Sequence, residues 1–211
     1  MAHSTIAEAE KGEGDDFTLR TWARLAAAVG VELHAYLKHA SAADRPRDAV
    51  HLRVQELLLQ TSAPGGWHGT AELAIDDAAR GSRSLDVALE RATLAVPEVA
   101  VLEVVDWLDD VGAGLRDWTR RLARVDQLAT ARLTRETDGR TVVPHVSGCW
   151  VLRATERNRG LVRDHSMVFR SRFPGPGATW LRALCGPAPM PPDPALLWVS
   201  VDGTRLWPAR P

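Results

Sequence analysis

The apolar run EVAVLEVV at 98–105 limits the possible folds more than any other segment. It is nearly continuous and rich in β-branched residues, the pattern of a strand that is buried on both faces. The chain has 211 residues, 45% of them apolar, so it is long enough for one domain of roughly 150 residues and a small appendage.

Hydrophobic periodicity around this run alternates between the helical and the extended type. After a linker at 41–47, SAADRPR, the predicted elements are a helix at 47–61, strands at 67–75, 84–90 and 98–105, a helix at 110–135, a strand at 142–152, helices at 156–169 and 178–184, and two short strands around Asp202-Gly203. The order predicts an α+β (mixed α/β) fold. A small helical N-terminal segment precedes an α-β-β-β-α-β domain with a mixed sheet.

Charge is unevenly distributed although the formal net charge is only −1. Residues 1–140 carry 17 Lys or Arg against 23 Asp or Glu, whereas residues 141–211 carry 9 against 4. The basic excess indicates either a nucleic-acid-binding face or a solvated helix face. The sequence has no apolar run of membrane-spanning length and no secretory signal, so we expect a cytoplasmic protein without a membrane partner.

Residues 4–31 carry the pattern of two helices separated by a turn. The matching positions are Ser4, Thr5, Ile6, Glu10 and Gly12 before the turn, and Thr18, Leu19, Leu25, Ala26, Val29, Gly30 and Val31 after it. The segment resembles the second half of an Xre-type, lambda-repressor-like helix-turn-helix domain, from the recognition helix onward. With the domain that follows, the chain is similar to actinobacterial regulators of that type.

This resemblance implies a partial DNA-binding domain at 1–40 and a second domain at 47–211. Side chains at the start of a recognition helix reach base edges and phosphates. The residues that would face DNA are Ser4, Thr5, Ala7 and Glu8, and those that would be buried behind them are Leu19, Leu25 and Val29. The family's first two helices would precede Met1, so we expect either a start upstream or a truncated relic that caps the larger domain.

Two carboxylates stand on neighbouring predicted strands, Asp86 in SLDVALE and Glu103 in VLEVVDW. Glu56 on the preceding helix could supply a third. The acids and the order of elements resemble the core of PD-(D/E)xK-type nucleases, in which such carboxylates hold Mg²⁺. The resemblance implies Asp86 and Glu103 as metal ligands and, with Glu56, as the catalytic candidates.

The same family has a lysine two residues after the glutamate, where this chain has Val105. The two lysines of the chain are Lys11 and Lys38, both upstream. Arg116 or Arg120 could supply positive charge, but arginine stays protonated and cannot act as a general base at neutral pH. The resemblance is therefore to a degenerate nuclease-like domain, with no cofactor expected unless the site binds Mg²⁺.

The remaining chemistry-bearing residues leave alternatives open. Asp106, Asp109 and Asp110 could cap the long helix or extend a metal site with Glu103. No histidine spacing near His145 or His165 is typical of metal ligation. Most of the eight tryptophans are expected in the core, whereas Trp107, beside acidic residues, could line a pocket.

Three functions remain open on the sequence. The first is a DNA-binding transcriptional regulator with a catalytically degenerate nuclease-like domain, for which a homodimer is a further open question. The second is a Mg²⁺-dependent nuclease that uses Asp86 and Glu103. The third is a non-catalytic protein-interaction module. Convergence of Glu56, Asp86 and Glu103 would favour the nuclease.

Overall fold

The chain divides into two compact units, residues 1–44 and 45–211. The computed structural model describes residues 3–11, 16–31, 33, 47–75, 84–92 and 96–209. Residues 32, 34–46, 76–83 and 93–95 fall outside these ranges, and with them most of the linker predicted at 41–47. No helix in these ranges is both long enough and apolar enough to span a membrane.

The smaller unit contains helices α1 (His3–Glu10) and α2 (Leu19–Ala28). Thr18 caps α2, because its side chain accepts a hydrogen bond from the Thr21 amide at 3.2 Å. After α2, Gly30 adopts a positive φ of 74°, the conformation for which glycine is favoured at helix ends. Both ends of α2 are therefore specified by local sequence.

The apolar face of α2 is not buried in this structure. Leu19 is 65% exposed and Val29 is 73% exposed, so the prediction that these two residues are buried is wrong. Leu25 is half-buried, and no described side chain in the unit is fully buried. The two helices that the structure describes in this unit are too short to enclose a core by themselves, because a small chain buries too little of its surface.

The larger unit is built on a six-stranded mixed sheet in the order β1-β2-β3-β6-β7-β8. Its elements are α3 (Arg47–Ser62), β1 (His68–Ala74), β2 (Ser84–Arg91), β3 (Glu98–Val105), α4 (Val111–Leu133), β4 (Arg135–Thr137), β5 (Arg140–Val142), β6 (His145–Arg153), α5 (Glu156–Asp164), α6 (Ser166–Arg172), α7 (Gly177–Cys185), β7 (Ala195–Val199) and β8 (Leu206–Pro208). β3 is parallel to β6, and β6 to β7, whereas the remaining pairs are antiparallel. The predicted α+β class with a mixed sheet is confirmed.

β3 lies inside the sheet and is covered on both faces. Val99 and Val101 belong to a cluster formed with α4, α5 and α6. Ala100 and Leu102 belong to a second cluster, formed with α3 and α7 on the other face. The prediction of a strand that is buried on both faces is confirmed, and helices form a layer on each side of it.

The helix predicted at 156–169 is broken into α5 and α6 at His165, whose φ of −110° and ψ of 28° depart from the helix. The break accompanies burial of two aromatic rings. Phe169 and Phe173 contact Trp150, with ring centroids 6.4 Å and 5.2 Å away. The interruption therefore coincides with the packing of these aromatic side chains against Trp150.

A small hairpin between α4 and β6, formed by β4 and β5, was not predicted. Asp138 and Gly139 form its turn, with φ values of 52° and 71°. Asp-Gly is favoured in two-residue hairpin turns, because both central residues need positive φ. Asp138-Gly139 was therefore a usable signal for a hairpin. It was missed because the long apolar periodicity of the preceding helix dominated the prediction for this region.

Arg91, at the end of β2, lies opposite Glu98 of β3 and is 3% exposed. Its Nε donates to Glu98 Oε2 at 2.5 Å, and its guanidinium lies 4.1 Å from the centroid of the Trp67 ring. The guanidinium also donates to the carbonyls of Gly65, Ala183, Gly186 and Ala188. Glu98 Oε1 accepts from the Met190 amide at 2.8 Å. One buried ion pair thus joins two strands to the segments around α7.

We predict that Arg91→Met lowers the free energy of unfolding by about 3–5 kcal/mol, because it leaves the Glu98 carboxylate buried and unpaired. Urea denaturation measures this. Arg132→Met is the matched control, since it removes an ion pair with Glu90 at the exposed surface. That control should cost less than about 1 kcal/mol. Equal losses in the two variants would contradict a structural role for the buried pair.

Candidate functional site

Three carboxylates lie in a row across β1, β2 and β3. Glu72 falls between the pairs Ala71↔Val87 and Leu73↔Leu85, and is therefore opposite Asp86. In the register of β2 and β3, Asp86 lies opposite Glu103, one position beyond the pair Val87↔Leu102. The strand register alone therefore brings Glu72, Asp86 and Glu103 to the same level of the sheet.

The β2–β3 ladder ends where these acids stand. The last pair at this end is Val87↔Leu102. Beyond it, the Val104 amide donates at 2.7 Å to the side chain of Asp86, through Oδ2. At the end of the ladder, the Asp86 carboxylate thus replaces a backbone carbonyl as the acceptor for a strand amide. This hydrogen bond fixes the orientation of the Asp86 side chain.

Glu72 has an unusual backbone conformation for a strand residue, with a φ of 51°. Non-glycine residues rarely adopt positive φ, and those that do are concentrated at functional sites. Gln55 donates to Glu72 Oε1 at 2.5 Å and Ser84 donates to Oε2 at 2.8 Å. These hydrogen bonds, first that of Gln55, lower the pKa of Glu72, so the carboxylate is ionised and oriented.

His51 of α3 lies between two carboxylates. Its Nδ1 is 2.8 Å from Asp106 Oδ2, and its Nε2 is 3.3 Å from Asp86 Oδ1. The hydrogen bond to Asp106 and then that to Asp86 raise the pKa of His51 to about 10. The imidazole is therefore a cation at neutral pH, and it neutralises part of the negative charge of the site.

Glu103 is paired with an arginine of α4. Arg121 Nη1 lies 2.5 Å from Glu103 Oε1, and Arg121 Nε lies 2.8 Å from Asp117 Oδ2. Burial, and then the charge of Asp86, raise the pKa of Glu103 to about 8 although Arg121 opposes the shift. Glu103 Oε2 is buried and has no hydrogen-bond partner among the described residues.

Among the residues that the structure describes, one group has the geometry to share a cation. His51, Glu72 and Asp86 each offer one ligand atom, and these atoms lie within 4.8 Å of one another. A cavity of about 630 Å³ opens on His51 and Glu72, and its lining also includes Glu103, Asp106, Trp107 and Arg153. Two carboxylate oxygens and an imidazole nitrogen fit a divalent transition metal, and carboxylates also suit Mg²⁺.

The chain that follows β3 is fixed by a buried asparagine of α5. Asn158 is fully buried, and its Nδ2 donates to the carbonyls of Asp106 at 3.2 Å and Arg153 at 2.9 Å. Its Oδ1 accepts from the Leu108 amide at 3.3 Å. Asn158 therefore holds the segment that presents Asp106 and Trp107 to the cavity.

The structure brings Asp86 and Glu103 together but not the third predicted carboxylate. Glu56 is exposed and accepts a hydrogen bond from Gln60 at 3.0 Å on the same helix. It is not a member of the group that can share a cation, where Glu72 stands instead. Gln55 points to the sheet, and the next residue of a helix points about 100° away from it. Glu56 is therefore directed away from the sheet.

The arginine at the site is neither of those that the sequence suggested. Arg121 contacts Glu103, whereas Arg120 pairs with Asp117 and is 64% exposed. Arg116 is exposed. One residue changes the direction of a helical side chain by about 100°, so neighbouring arginines of α4 reach different surroundings.

The three aspartates after β3 have separate roles. Asp110 caps α4, since its side chain accepts from the Ala113 amide at 2.8 Å, as one of the two alternatives predicted. Asp109 binds Arg157 at 2.7 Å. Asp106 binds His51 and thereby belongs to the candidate site.

Sequence reasoning missed His51, Glu72 and Asn158. His51 and Gln55 are one helical turn apart, so a polar pair beside the apolar stripe of α3 was an available signal. No feature of the sequence predicted the positive φ of Glu72. Of the predicted DNA-facing residues on α1, Ala7 and Glu8 are exposed and Thr5 is half-buried, whereas the Ser4 side chain lies outside the described part of the structure.

Comparisons with family models, with curated proteins and with solved structures found no match to this chain.

We predict that the stability of the protein falls, relative to that of His51→Gln, as pH rises from about 6.5 to about 10. The folded state keeps a proton on His51 that the unfolded chain releases, so the stabilisation is complete below the ordinary pKa and is lost through the raised pKa. The loss is on the order of a few kcal/mol. Urea denaturation across this pH range measures it, and parallel curves for the two proteins would contradict the prediction.

Proposed function

We propose that the larger unit binds a divalent cation between α3, β1 and β2 and cleaves phosphodiester bonds of nucleic acid. The observation that carries the proposal is the convergence of His51, Glu72 and Asp86, with Glu103 next in the row. The resemblance of the strand–helix order and of Asp86 and Glu103 to the PD-(D/E)xK nuclease core supports the choice of substrate. The smaller unit, by its resemblance to half of an Xre-type domain, supports DNA as the partner.

The residues of the site have distinct tasks in this proposal. A divalent cation bound there would neutralise phosphate charge and activate a water molecule. Glu72 and Asp86 bind through oxygen, and Gln55 and Ser84 hold Glu72 in place. His51 must release its proton before it can bind through Nε2, because an imidazolium has no free lone pair. Arg153, which lines the same cavity, faces the phosphate.

A second candidate function is a regulator whose nuclease-like domain does not cleave. Two observations favour it. Val105 stands where the family has its lysine, and Arg121 already pairs with Glu103 at 2.5 Å. In this alternative, the internal cations His51 and Arg121 take the place of a metal, and the domain serves DNA binding alone.

We predict that the protein binds Mn²⁺, and that Asp86→Asn weakens this binding more than about 10-fold because a charged ligand is lost. Isothermal titration calorimetry measures the affinity. Glu90→Gln is the matched control, since Glu90 also lies on β2 but pairs with Arg132 at the surface. Affinity that stays unchanged in Asp86→Asn, or no binding by the wild type, would contradict the proposed centre.

We also predict that the wild type cleaves labelled DNA with Mn²⁺ or Mg²⁺, and that Asp86→Asn lowers the rate about 100-fold or more. Gel electrophoresis of the products measures the rate. If the wild type binds metal but does not cleave, the regulator is favoured. Val105→Lys then tests whether the missing lysine is the cause, because it restores an ammonium beside Glu103.

A further inference from the structure

Trp107 is a large apolar side chain that the structure keeps exposed in a fixed orientation. It is 50% exposed, and it is the one exposed tryptophan in the part of the chain that the structure describes. The Arg157 guanidinium lies 4.5 Å from the centroid of its ring, and its Nε1 donates to Asp109 Oδ1 at 2.5 Å. The cation–π contact and the hydrogen bond hold the indole in place, so its exposed surface is presented to solvent in one orientation.

Trp107 also lies where two cavities meet. It lines the cavity of the candidate metal centre and a smaller pocket of about 170 Å³, which share Glu103 and Val105 as well. The smaller pocket has two further aromatic walls, Trp118 and Trp150. An aromatic pocket therefore adjoins the carboxylates directly.

Two polar atoms on the lining residues of the smaller pocket lack partners. Trp150 is 2% exposed, and its Nε1 has no hydrogen-bond partner among the described residues. The same is true of Glu103 Oε2. An unsatisfied buried polar atom costs free energy, so both atoms are available to hydrogen-bonding groups of a ligand. Two hydrogen-bonding atoms beside an aromatic pocket suit the edge of a nucleobase.

We propose that an unpaired base of a nucleic-acid strand stacks on the open face of Trp107, at the mouth of the smaller pocket. The Arg157 guanidinium supports the opposite face of the indole. This proposal rests on the proposed function and assigns its substrate: a strand whose base next to the cleaved phosphate is unpaired. Stacking on aromatic side chains is how proteins hold single strands, because each base offers a π-face.

The test compares two labelled probes by fluorescence anisotropy, a short oligothymidylate and an abasic phosphate oligomer of the same length. Full-length protein is used with Ca²⁺ and again with EDTA. Trp107→Ala should weaken oligothymidylate binding about 5- to 150-fold and leave the abasic probe nearly unaffected. Trp107→Tyr should retain most of the affinity, since a tyrosine ring also stacks.

Trp207→Phe is the control variant, because Trp207 also lies under an arginine, Arg159, but lines neither of the two cavities. The Trp207→Phe variant should bind both probes with the same affinity as the wild type. Thermal unfolding shows whether each variant folds. The proposal is overturned if Trp107→Ala binds oligothymidylate as the wild type does, if it weakens both probes equally, or if the wild type binds neither.

This outcome is separable from that of the proposed function. A base-dependent effect of Trp107 in EDTA, in a protein that neither binds Mn²⁺ nor cleaves DNA, would support the stacking site and overturn the nuclease. If the protein binds Mn²⁺ and cleaves DNA but Trp107→Ala has no effect on binding of the base-containing probe, the nuclease is supported and the stacking site is overturned.

Discussion

The buried ion pair between Arg91 and Glu98 closes one end of the β2–β3 hairpin, and the larger unit is organised around that closure. The two residues face each other in register, and the guanidinium donates to four carbonyls besides the glutamate. Burying a charge is favourable only where its hydrogen bonds are met, and here they are. The pair connects the two strands by hydrogen bonds to the segments that flank α7. Because every partner in this network is in a fixed position, the network holds this end of the sheet in a single arrangement.

At the other end of the same hairpin, two acidic residues oppose each other. Asp86 faces Glu103, an arrangement that is unfavourable across a strand pair. Each acid is offset by a cation from a different face of the sheet, His51 from α3 and Arg121 from α4. The hairpin therefore combines an end whose charges are paired, which stabilises the fold, with an end where acidic side chains are close together and the charge of Asp86 helps to raise the pKa of Glu103. Such a cluster of acidic side chains is typical of functional sites.

Sequence alone predicted the parts of this arrangement that depend on short-range pattern. The run at 98–105 identified the doubly covered strand, and the spacing of Asp86 and Glu103 placed them on neighbouring strands. The sequence did not predict His51 as a site residue, because its role depends on how α3 crosses the sheet. Glu72 was missed because its backbone conformation is an exception to the strand pattern. The choice of Arg121 over Arg120 required the helix phase relative to β3, which tertiary packing determines.

The conformation of Glu72 has a consequence for association between molecules. β1 is the outermost strand of the sheet, and an outer strand with regular hydrogen-bonding groups can pair with a strand of another chain. The positive φ of Glu72 interrupts the regular pattern in the middle of β1, and an exposed charge stands at that point. A strand of another chain that paired with this edge would meet the irregular backbone and the charge in the middle of its ladder, which disfavours such pairing. The geometry that aims a carboxylate at the candidate metal centre therefore also opposes aggregation through the sheet edge.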